Sequence, residues 1–117
     1  MILWQKAMAL ARAVYGATNK FPREEVFGLQ SQIRRAAVSI PANIAEGRGR
    51  LTDLQFRHFL GNSRGSLCEL QTELELACDL GFVDASKTMA LMEQSSEVAR
   101  LLNGLIAKMP SKGELSA

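Results

Sequence analysis

The sequence predicts an all-α fold, an antiparallel up-down-up-down four-helix bundle with a proline bend in its second helix. Apolar residues recur every three or four positions through four stretches, and no stretch alternates with the period of a strand. Short connections carrying Gly, Pro, Asp and Thr separate the stretches, which makes consecutive helices antiparallel neighbours. With 47% hydrophobic and 22% charged residues, three prolines and few aromatics, the composition is that of an ordinary globular chain. A length of 117 residues suffices for one core and not two. Residues 1–110 are therefore read as one domain and 111–117 as a frayed tail.

Leu3, Ala7, Leu10 and Val14 keep helical spacing, and Trp4, Met8, Ala11 and Tyr15 widen the apolar face, predicting a helix over 2–17. Phe21-Pro22 punctuates the chain. Leu29, Ile33, Ala37, Ile40 and Ile44 then step by fours and threes, predicting a second helix over 26–46. Pro41 has no amide for the Ala37 carbonyl and its ring crowds it, a loss of about 3 kcal/mol in a helix interior, hence the expected bend. Around it Ala36, Ala37, Ser39, Ala42 and Ala45 are small enough to admit a neighbouring backbone. Gly47 and Gly49 suit a C-cap and tight turn, and Thr52 with Gln55 reads as a capping box. Phe56, Leu60, Ser63, Leu67, Leu70, Leu74 and Ala77 predict a third helix over 53–80. Asp84 or Ser86 caps a fourth, whose pattern from Leu91 to Met109 ends at Pro110. At about 1.5 Å per residue the third helix outruns the first by roughly 18 Å, and an overhang carrying apolar residues wants a partner.

Several function classes are excluded early. No run reaches the roughly 18 apolar residues of a membrane span, and Lys6 and Arg12 interrupt any export signal, so a cytoplasmic protein with no membrane contact is expected. Cys68 and Cys78, ten residues apart on one helix, stand about 15 Å apart and cannot bridge. They are expected as buried thiols. His58 is the lone histidine and has no second ligand at metal spacing, so neither metal nor cofactor is expected.

Net charge is only +2, but its distribution is uneven. Residues 1–64 carry ten Lys or Arg against four acids, whereas 65–117 carry four against eight. Such asymmetry points to a charged partner. With helices alternating in direction, the end bearing the 47–52 turn collects Arg48, Arg50, Arg57, Lys6, Lys108 and Lys112, while Glu73, Glu75, Asp79 and Asp84 gather towards the other.

The run GLQSQIRRAAVSIPANIAEGRGR, with LWQKAMALA near the start, FP at 21–22 and FRHFLGNSRGSLCELQTELELACDLGF, resembles the four-helix-bundle family of 23S rRNA intervening-sequence proteins. Its motif residues here are Arg34, Arg35, Pro41, Asn43, Glu46 and Gly47, and the resemblance spans nearly the whole chain. The chain begins at the tryptophan motif, where relatives carry a few residues more, so a less anchored first turn is expected. The resemblance implies bacterial bundles, encoded in insertions of large-subunit rRNA genes or standing alone, that assemble into homopentameric rings. More distantly it extends to accessory proteins of diversity-generating retroelements, basic pentamers that bind nucleic acid.

Four candidate features follow. The Gly47-Arg48-Gly49-Arg50 turn feeds a helix N-terminus, so its two guanidinium groups and free amides suit a phosphate; the plainer reading is a capped turn with solvated arginines. Arg34 and Arg35 fall level with Ser66 to Glu69, and an ion pair with Glu69 is their simplest use. Asn43 and Glu46 lack the second carboxylate, nucleophile or histidine that acid-base catalysis needs, so no catalytic residue is assigned and a buried hydrogen-bonded pair is expected. Trp4 and Tyr15 could stack bases, though their register suits core or ring interface better. The sequence thus predicts a non-enzymatic homo-oligomer binding RNA or DNA backbone through its basic end, with an oligomeric scaffold for a protein partner as the alternative.

Overall fold

The computed structural model describes residues 1–111 and contains four α-helices: α1 (Ile2–Ala17), α2 (Leu29–Arg48), α3 (Asp53–Asp79) and α4 (Ala85–Lys108). A short 3-10 turn, Arg23–Glu25, lies between α1 and α2. Among the described residues there is no strand. The predicted tail beyond Ser111 lies outside the described residues.

Each helix borders its sequence neighbours, and α1 also touches α4, so the four close into a bundle 52 Å long and 24 by 22 Å across. Direction follows from which residues meet. Ser39 bonds Ser66 and the Ile40 carbonyl accepts from Ser63, so α3 numbers rise as α2 numbers fall. Gln71 bonds Ser95 while Arg64 bonds Asn103, which gives α3 and α4 the same opposed sense. One core runs down the middle, with Leu10, Ile33, Ile40, Ile44, Leu70 and Leu102 wholly enclosed. Burial of each such side chain stabilises the fold by about 1.5–3 kcal/mol.

Helix ends follow local chemistry. Thr52 accepts the Gln55 amide at 3.1 Å and Asp84 the Lys87 amide at 2.8 Å, so both side chains cap as expected. At the end of α3, the Phe82 amide reaches the Ala77 carbonyl and the Gly81 amide that of Cys78, with Gly81 at φ +81°. Only a residue without a Cβ holds that conformation cheaply.

Both boundaries of α2 differ from expectation. α2 begins at Leu29 and not at 26, because the Glu25 carboxylate accepts the Leu29 amide at 3.0 Å and leaves Val26 and Phe27 in the preceding turn. It runs on to Arg48, through Pro41 and through Gly47. Gly47 is no cap: a Cβ there would sit 2.8 Å from both Phe56 Cδ1 and Phe59 Cβ, so glycine is what lets α3 cross this close. Finally, the 18–28 connection reaches the turn after α3, where its buried Phe21 meets the Phe82 ring at 5.5 Å between centroids.

Candidate nucleic-acid interface

The turn from Gly49 to Thr52 joins α2 to α3 at the end of the bundle where α1 starts and α4 finishes. Arg48, the last residue of α2, and Arg50 on the turn are both exposed. Arg50 Nη2 bonds Glu46 Oε1 at 2.8 Å and its guanidinium lies 4.7 Å from the Phe59 ring centroid. That arginine is held in place by a carboxylate and an aromatic face while remaining half open to solvent. Arg48 instead borders a shallow hollow with Trp4, Ala45 and Gly49.

Arg57 lies one turn into α3, half-buried, and its Nε is enclosed without an acceptor. Lys108 is exposed in the last turn of α4, where its charge also complements the helix dipole. Lys6 reaches across to α4 and pairs with Glu97 at 3.1 Å, which partly neutralises it. Among the described residues the ion pairs are Lys6–Glu97 and Glu46–Arg50, so Arg48, Arg57 and Lys108 carry no internal counter-charge. Lys112 lies outside the described residues.

Leu51, between Arg50 and Thr52, is 96% exposed. Sequence reasoning passed over it, although an aliphatic residue in an otherwise polar turn is a visible signal. It offers an apolar surface among the arginines.

Most of the remaining motif residues make contacts within the bundle. Arg34 reaches away from α3, donating from Nε to Thr18 Oγ1 at 2.9 Å and from Nη2 to the Tyr15 carbonyl and Asn19 Oδ1 at 3.2 Å. Its guanidinium also stacks 4.5 Å from the Tyr15 ring centroid. The expected pair with Glu69 is absent for Arg34 and Arg35 alike among the described residues. Asn43 donates to Ser39 O and Oγ instead of to Glu46, which is exposed and occupied by Arg50. Trp4 and Tyr15 are part of the surface, not the core, at 38% and 44% exposure. The thiols also differ from expectation, with Cys68 exposed and Cys78 half-buried.

Arg35 faces Glu69 and Glu73 across a polar cleft between α2 and α3. Burial, and then the neighbouring Glu69 carboxylate, raise the Glu73 pKa above its ordinary value of 4.5. A carboxylic acid with a raised folded-state pKa contributes stability that is present below its ordinary value and lost as pH rises through the raised one. Glu73→Gln is therefore expected to raise the melting temperature at pH 7, with the gain disappearing at pH 4; melting curves at the two pH values check it.

Among the described residues no three His, Cys, Asp or Glu side chains converge as a metal site needs, and no helix is long and apolar enough to cross a membrane. Comparison with known proteins bears on the fold. Residues 1–104 match the family described as 23S rRNA-intervening sequence protein. A crystal structure of a protein of unknown function from the S23 ribosomal protein family of Bacteroides thetaiotaomicron is similar over 89% of this chain and 97% of its own. The two superpose with a TM-score of 0.82 at 22% identity. Nothing among curated proteins matches.

Proposed function

This chain belongs to the 23S rRNA-intervening sequence protein family, and on that premise we propose that it is a non-enzymatic homo-oligomer, a pentamer, that binds RNA or DNA backbone through the basic end of the bundle. The observation that carries the reading is that Arg48, Arg57 and Lys108, at the end of the bundle that also bears the exposed Arg50, form no ion pair among the described residues. Arginine forks match phosphate oxygens bidentately, and lysine adds a point charge. Repeating this end in every subunit multiplies a weak attraction for a polyanion.

Cations that neutralise phosphates release counterions, so affinity for a single strand falls with salt by a log-log slope of about 0.7 per phosphate. Replacing Arg48 and Arg50 together with serine is expected to weaken RNA binding and lower that slope by about 1.4. Both side chains are exposed, so the fold should persist. Lys87→Ser, at the far end on α4, should leave binding unchanged. An unchanged slope in the double variant would contradict the reading, and an oligomeric scaffold for a protein partner predicts no slope at all. Anisotropy titrations of labelled mixed-sequence RNA read each case.

A further inference from the structure

α1 borders α2 and α4, and α3 borders the same two helices, so the α1/α2 and α3/α4 grooves lie on opposite sides of the bundle. The α1/α2 groove is floored by Met8, Ala11, Val38 and Pro41 and edged by Arg12. It continues to Trp4 and Arg48 in one direction and to Tyr15, Arg34 and Arg35 in the other, and no carboxylate lines any of its three hollows. The α3/α4 groove, about 840 Å³, has Met89, Met92 and Cys78 among its lining. Its rim is acidic even with Glu97 paired to Lys6: Glu75, Asp79 and Glu93 outnumber Arg100.

The two grooves are opposite in charge and run along comparable lengths of α1 and α4. Trp4 to Tyr15 and Met89 to Arg100 each span about 16 Å of helix. Methionine side chains adapt to an incoming surface more readily than branched ones. The α3/α4 side also carries Gly61 and Gly104, eighteen residues before Asp79 and seven after Glu97, hence on the same helical stripes. A Cβ at either glycine would meet nothing within 4 Å, so no contact inside the described chain calls for a residue that disfavours helix. A backbone approaching from outside would.

We infer that a second copy of this chain occupies the α3/α4 groove, seating its α1/α2 groove there head to tail, which rests on the homo-oligomer proposed above and adds the two faces that meet. The two grooves of one copy point in opposite directions and cannot close on each other. Pairing α1/α2 with α1/α2 would oppose arginines, whereas the heterologous contact sets Arg12 and its neighbours against Glu93 and its neighbours. Such a contact joins bundle sides and leaves the basic end of every copy open.

Sedimentation velocity over a range of concentrations tests this. Arg12→Glu and Glu93→Arg are each expected to raise the dissociation constant by about tenfold or more, and the two together in one chain to restore it to near wild type. Val38→Asp and Met89→Asp, one in each groove at residues 45% and 66% exposed, should each release a monomer that circular dichroism shows to be helical. A wild type that is monomeric at tens of micromolar overturns the inference. So does a charge-swapped double variant no tighter than the single ones, or dissociation by Val38→Asp without any by Met89→Asp. RNA binding by the same samples separates the two readings: a monomer that binds RNA removes only the interface, and an assembly that follows the charge swap yet binds no RNA removes only the nucleic-acid reading.

Discussion

Replacing Arg34 with alanine is expected to destabilise the bundle by about 2 kcal/mol, because hydrogen bonds from a charged donor are worth more than neutral ones. Arg34 donates to Thr18 Oγ1, to the Tyr15 carbonyl and to Asn19, and covers the Tyr15 ring. Thr18 is wholly buried, and its carbonyl also accepts from Gln30 at 2.7 Å. The arginine thus fastens the C-terminal end of α1, which has no basic residue of its own in its last turn. In a chain of this size the loss corresponds to a fall in melting temperature of about 8 °C. Arg34→Lys should recover less than half, since an ammonium cannot hold Thr18 and two further acceptors in one plane. Thermal unfolding followed by circular dichroism reads both.

Gly47→Ala is expected to cost about 1–2 kcal/mol although alanine is the better helix former. The new methyl would lie 2.8 Å from Phe59 Cβ, an atom too near the backbone to swing aside, and 3.3 Å from the Phe56 carbonyl oxygen. α2 and α3 would have to part at their closest point. Gly16→Ala on α1, where a Cβ meets nothing within 4 Å, should instead leave stability unchanged or raise it by up to about 1 kcal/mol. Urea unfolding of the two variants side by side separates crowding from propensity by the sign of the effect.

These two positions mark where the sequence stops being legible. Helix number, order and most boundaries follow from period and caps, because spacing, Thr52, Asp84 and Pro110 act within a few residues of themselves. Gly47 and Arg34 act across helices. Gly47 looks like a cap in a Gly-Arg-Gly-Arg run, and only the crossing of α3 shows that Phe56 and Phe59 demand it. Arg34 was expected opposite Glu69 because the α2–α3 register was readable from their short turn. The register of α1, joined by a longer connection with its own 3-10 turn, was not. At the basic end the charges themselves were readable. Their pairings were not: Lys6 with Glu97 depends on how α1 leans on α4, and Leu51 is exposed only because the turn carries it outward.

Binding of a polyanion by the basic end is tested most directly by titrating labelled, mixed-sequence single-stranded RNA with the wild-type protein at several salt concentrations. Contacts from at least Arg48, Arg57 and Lys108 predict measurable binding at low salt and an affinity that falls with a log-log slope of about 2 or steeper. Absence of binding at the lowest salt, or an affinity indifferent to salt, would contradict it.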